Sequence, residues 1–89
     1  MKNKLIWDET KRQTNLQKHS LDFADANEVL ESRYRFDIDV VRGGELRTQS
    51  MSYAVLTVVH TERDDSTRII SFRPASTNER ENYYEWLKN

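Results

Sequence analysis

The chain has 89 residues, a third of them charged, with 14 Lys and Arg against 15 Asp and Glu and no cysteine. That length makes a single domain, 1–89, near the size at which one core suffices, and the lack of thiols excludes disulfides and thiolate metal sites. No stretch approaches the ~18 apolar residues of a membrane span and no secretory apolar run opens the chain, so a cytoplasmic protein is expected.

The net charge of −1 hides an uneven distribution. Residues 1–19 hold five cations against two acids, residues 20–45 three against seven, and residues 46–89 six against six. A basic end and an acidic middle can serve two different partners.

In chain order, Lys4-Leu5-Ile6-Trp7 is a short apolar opening that can form a brief strand, and Asp8 is a good N-cap for a helix from about Glu9 to His19. Leu16 is that helix's only large apolar residue, and Lys11, Asn15, Lys18 and His19 fall on one stripe, a donor-rich line suited to phosphate oxygens or water. Asp22 then caps a second helix whose apolar residues are Phe23, Ala26, Val29 and Leu30. From Tyr34 the period becomes two: Tyr34, Phe36, Ile38 and Val40 alternate with Arg35, Asp37 and Asp39, which predicts a half-exposed edge strand with a charged outer side. Gly43-Gly44 supplies a turn with positive φ, and Glu45 to Ser50 a polar strand.

Residues 53–73 read as a hairpin, with Val55–Val59 and Arg68–Phe72 flanking the polar turn Glu62-Arg63-Asp64-Asp65-Ser66. Pairing 59 with 69 and 57 with 71 puts Ala54, Leu56, Val58, Ile70 and Phe72 on an apolar face. Val55, Thr57, Val59, Ile69, Ser71 and Arg73 then lie on a mixed one. Pro74 stops the ladder, and Ser76 with Glu79 forms a capping box for a C-terminal helix carrying Tyr83, Trp86 and Leu87 on one stripe. The fold class is α+β: a four-stranded, mostly antiparallel sheet with two N-terminal helices and a C-terminal helix.

Nucleotide-loop, HExxH and G-x-S-x-G signatures are missing, and two isolated histidines argue against a metal site. What remains is Arg47, His60, Glu62, Arg63, Arg68, Arg73 and Arg80 on and beside the sheet. RNA cleavage needs only such groups, because the 2′-hydroxyl is the nucleophile: a base takes its proton, a cation steadies the phosphate and an acid protonates the leaving oxygen. His60 or Glu62 can be the base and Arg73 the phosphate clamp. A binding module without turnover remains the alternative.

Ile6-Trp7-Asp8-Glu9, Lys11, Asn15, Lys18-His19, Phe23 and Ala26, then Val58-Val59-His60-Thr61-Glu62-Arg63, Arg68-Ile69-Ile70-Ser71, Arg73, Ala75, Glu79 and Tyr83, resemble the BrnT family of bacterial toxins. The resemblance spans almost the whole chain. It implies a RelE-like fold, a ribosome-independent ribonuclease of a type II toxin–antitoxin system, and growth inhibition relieved by a BrnA-type antitoxin, with operator DNA met only through that antitoxin. No cofactor or metal is implied. The expected catalytic residues are His60, Glu62, Arg63 and Arg73, with Lys11, Lys18, His19, Arg47, Arg68 and Arg80 on the RNA. The chain departs from the family pattern at Phe72 and Pro74, which are expected to alter access around Arg73.

Overall fold

The computed structural model describes residues 4–53 and 55–88. Its centre is a five-stranded mixed sheet, built from β1 (Lys4–Trp7), β2 (Arg35–Arg42), β3 (Glu45–Ser52), β4 (Leu56–Arg63) and β5 (Ser66–Pro74) in the order β1-β5-β4-β3-β2. This corrects the four-stranded expectation. β1 runs parallel to β5, Lys4 beside Ser66 and Trp7 beside Ile69. Lys4–Trp7 is the brief strand that its apolar run suggests, but a parallel pairing between distant parts of the chain has no turn to announce it, so nothing local joins that strand to the sheet.

Three α-helices accompany the sheet: α1 (Glu9–His19), α2 (Asn27–Leu30) and α3 (Thr77–Lys88). Asp8 caps α1 by accepting from the N–H groups of Thr10 and Lys11, at 2.9 and 3.2 Å. The second expected helix is two pieces, a 3-10 turn at Phe23–Asp25 capped by Asp22, then the single turn of α2. Its apolar residues still reach their place: Phe23, Ala26 and Val29 are buried and Leu30 packs against them.

The β4–β5 register corrects the expected pairing. Val59 faces Ser71 and Thr57 faces Arg73, whereas beyond a bulge His60 faces Ile69. β5 therefore spends one extra residue, Ile70, and the bulge turns Ile69 to the core in its stead. Val58, Ile69 and Phe72 bury against Phe23, Ala26 and Val29, with Leu56 at the margin. Ala54, also expected on this face, lies outside the described residues. Phe36, Ile38 and Met51 point to the other face, under α3, where Tyr83 is buried and Trp86 stacks on Phe36 with ring centroids 5.1 Å apart. The Tyr83 hydroxyl donates to the Tyr34 carbonyl at 2.6 Å, tying α3 to the start of β2.

Because β1 stops at Trp7, the outer edge of β5 has no strand partner beyond Ile69. Asn15 takes that place. Its amide donates to the Phe72 carbonyl at 2.7 Å, its Oδ1 accepts the Phe72 N–H at 3.2 Å, and it also donates to the Leu21 carbonyl at 3.1 Å. A side-chain amide carries the same donor and acceptor as a peptide group, so Asn15 continues the ladder and holds α1 along the bulged end of β5.

Candidate active site

Arg73 stands on the α3 face of the sheet, opposite Thr57. Its Nη1 and Nη2 donate to the two carboxylate oxygens of Glu79 at 2.7 and 2.9 Å. Glu79 is reached because the capping box forms as the sequence predicts: Ser76 N–H donates to Glu79 Oε1 at 2.8 Å and Glu79 N–H donates to Ser76 Oγ at 3.2 Å. Thr57 Oγ1 adds a third donor to Oε1 at 3.1 Å. Burial opposes ionisation of Glu79, but the Arg73 fork, the Ser76 N–H and Thr57 outweigh it and pull the carboxyl down to about 2. The fork of Arg73 is thus straight, held and three-quarters shielded, with 27% of its side chain exposed.

The stripe on α1 faces the bulge. Lys11, Asn15, Lys18 and His19, with Thr10, Thr14, Ile70 and Ser71, line an open groove of about 270 Å³. Lys11, Lys18 and His19 make no ion pair among the described residues. Ser71 precedes Arg73 by two residues on the same strand face, ~7 Å along the strand, so the groove leads onto the Arg73 surface.

His60 lies on the opposite face. It is 1% exposed, and its Nε2 is 2.7 Å from Ser50 Oγ, which itself donates to Asp37 Oδ1 at 2.7 Å. With the serine proton committed to Asp37, Nε2 carries the hydrogen of the neutral imidazole. Nδ1 is 3.1 Å from Glu62 Oε1 without hydrogen-bond alignment. Burial pushes His60 below its ordinary value, against the pull of Glu62. Although burial works against it, Asp37 is held low by Arg35, at 2.8 and 3.0 Å, and by Ser50. Glu62 is half exposed and accepts from Thr67 Oγ1 at 2.8 Å.

Arg47 and Arg63 share one carboxylate, Glu45, at 3.2 and 3.1 Å, near the far end of the β3–β4 pairing. Arg68 sits between Thr61 and Ile6 in the sheet and makes no ion pair among the described residues. Arg80 is exposed on α3, directly after Glu79. The structure therefore joins Lys11, Lys18 and His19 to the Arg73 side. It separates His60 and Glu62 from Arg73 by the thickness of the sheet, and gathers Arg47 and Arg63 in a third place. Phe72 is buried beneath the helical layer on the face away from Arg73, so it does not obstruct that side chain. Pro74 is exposed at the end of β5. Two residues stand out to which the sequence assigns no chemistry: Glu79, read there as a cap, and Asn15, read as one member of a polar stripe.

A family model described as ribonuclease toxin, BrnT, of type II toxin–antitoxin system matches residues 7–79. Among solved structures the chain is similar to the ribonuclease toxin BrnT of Brucella abortus, determined at 1.1 Å, with 33% identity, 84% of this chain and 99% of that chain covered, and a TM-score of 0.61. No curated protein sequence matches it.

Proposed function

The chain belongs to the BrnT family of ribonuclease toxins of type II toxin–antitoxin systems, and from that footing we propose that it is a cytoplasmic endoribonuclease working without a metal ion through the RNA 2′-hydroxyl. The toxin acts on RNA and is neutralised by a cognate antitoxin of the BrnA type. The observation that carries the reading is the continuity of the basic α1 groove with Arg73 through Ser71.

An RNA strand laid in the groove meets Lys11 and Lys18 with its phosphates and reaches Arg73 with the scissile one. There the Nε–Nη2 edge of the planar guanidinium, which the pairing of Nη1 and Nη2 with Glu79 leaves open, offers donors to the phosphate oxygens. Attack by the 2′-oxygen forms the bond to phosphorus, the 5′-oxygen leaves, and a proton must go from the first oxygen and arrive at the second. His19 is the imidazole that borders the groove, whereas His60 is sealed on the far face and orients Ser50 and Asp37. Glu62 is half exposed beside His60 on that far face, so it stands away from a phosphate held by Arg73. Arg63, with Arg47, Arg68 and Arg80, offers further phosphate contacts along the strand.

A second reading is favoured by one observation: Glu79 already occupies both arms of the Arg73 fork. A module that only binds RNA or antitoxin would keep that pair intact. Cleavage of a defined single-stranded RNA, with a chelator present, separates the two. Wild type is expected to cut, Arg73→Ala to lose about 100-fold or more, His19→Ala to lose more than Glu62→Gln, and all to stay folded. Cleavage unchanged in Arg73→Ala would remove it from the site, and no cleavage by folded wild type would leave the binding module.

A further inference from the structure

Strand β2 ends the sheet on the side away from β1. All eight of its residues, Arg35–Arg42, pair with β3, and no strand covers its other edge among the described residues. Such an edge offers a row of backbone donors and acceptors to any chain that can match its side chains. Those side chains alternate sharply. Asp37, Asp39 and Val41 are exposed on one face, Val41 by 71%, while Phe36, Ile38 and Val40 are half-buried on the other.

The alternation decides what can pair there. A second copy joining through its own β2 must run antiparallel about a two-fold axis and keep faces in phase. Centred on residue 38, that sets Asp37 against Asp39, and on 39, Asp39 against Asp39; centred on 37, Asp37 meets Asp37 but Arg35 meets Asp39. Like charges directly opposite are destabilising, so the longest self-pairings, those centred on 38 and 39, are disfavoured. Arg35 already holds Asp37, whereas among the described residues Asp39 has only the Thr48 hydroxyl, at 2.8 Å. The complement is a strand with a cation beside Asp39 and apolar residues beside Phe36, Ile38 and Val40.

We propose that the β2 edge receives an extended segment of a partner protein in which basic and apolar residues alternate, added as a sixth strand. Main-chain hydrogen bonds then supply affinity and the alternating side chains supply selectivity. That this partner is the antitoxin rests on the toxin–antitoxin reading above. The docking strand lies across β4, β3 and β2 from the β5 edge where the α1 groove opens, so it leaves the groove uncovered.

The test uses the purified chain and two synthetic peptides, one alternating lysine with valine and one alternating glutamate with valine, at low salt. Binding is read by fluorescence anisotropy and the docking place by amide hydrogen exchange. The lysine peptide is expected to bind, to slow exchange within Arg35–Arg42, and to lose about tenfold in affinity against Asp39→Lys, a solvent-exposed change that melts like wild type. Equal binding of the glutamate peptide, protection only outside β2, or no effect of Asp39→Lys would overturn it. RNA cleavage by the same samples is scored separately: protection lost with cleavage retained defeats the docking strand alone, and cleavage lost with protection retained defeats the ribonuclease reading alone.

Discussion

Arg73 and Glu79 grip each other through two parallel hydrogen bonds at 2.7 and 2.9 Å, joining the end of β5 to the first turn of α3 across Pro74. The pair does two jobs: it stiffens the guanidinium that would meet a phosphate, and it holds α3 on the sheet.

The Glu79 carboxyl, moved from 4.5 to about 2, ties that second job to pH. One pKa unit is ~1.4 kcal/mol, so the shift is worth about 3 kcal/mol. Its folded value lies below its unfolded one, so the stabilisation is complete above pH 4.5 and is lost as pH falls towards 2. Glu79→Gln is expected to lower the melting temperature at pH 7 by about 15 °C and to flatten the stability curve across that acid window. Thermal melts in steps of pH measure both, and an unchanged acid slope would show that other carboxylates carry it.

Asn15 gives a second prediction. Replacing it with alanine strands the Phe72 carbonyl and N–H at a covered strand edge and removes the bond to Leu21 as well. A buried backbone group left unmatched costs about 1–3 kcal/mol, so Asn15→Ala should melt about 10 °C lower. Asn15→Asp keeps the acceptor but not the donor and should lose a comparable amount. If Asn15→Ala melts like wild type, water replaces the amide and the ladder does not depend on it.

How much of this is legible in sequence depends on the range over which each signal acts. The caps at Asp8 and Asp22, the Ser76–Glu79 box and the Gly43-Gly44 turn are local patterns, and each appears where its residues dictate. Strand parity alone separates His60 from Arg73, since Thr57 and His60 are three residues apart. The parallel β1 and the extra Ile70 are different: one is a contact between distant segments, the other a change of register that no composition records. Arg73 and Glu79 are six residues apart, but their meeting depends on how α3 folds back, so sequence shows the cap without its partner. Lys11, Lys18 and His19 share a helix stripe that periodicity reveals, whereas the β5 bulge that turns the stripe into a groove does not show.

His60 gives a third prediction. Burial lowers its pKa and Glu62 works against that drop. The unfolded chain therefore takes up a proton near pH 6.5 before the folded one does. Stability from this residue is present above that value and lost as pH falls through the lower folded one. Glu62→Gln removes the opposing charge, so the folded imidazole should titrate at a still lower pH. Two-dimensional NMR of the imidazole protons follows this directly, with His19 as the second resonance. A rise of the His60 titration in Glu62→Gln would mean that the carboxylate does not act on the ring.

Salt dependence offers the last test, because it counts charges without assuming chemistry. Each cation that meets a phosphate of a single strand releases counterions and steepens the plot of log affinity against log salt by ~0.7. Lys11 and Lys18 line the α1 groove and make no ion pair among the described residues, so both are available to an incoming phosphate. Arg47 and Arg63 already share Glu45, which reduces what they release on binding. Lys11→Ala with Lys18→Ala should therefore flatten the slope by about 1.4, two cations at ~0.7 each, while Arg47→Ala with Arg63→Ala flattens it by less. Filter binding of a single-stranded RNA across a salt series gives both slopes. Flattening by the arginine pair equal to or larger than that by the lysine pair would move the RNA path from the α1 groove to the Glu45 corner.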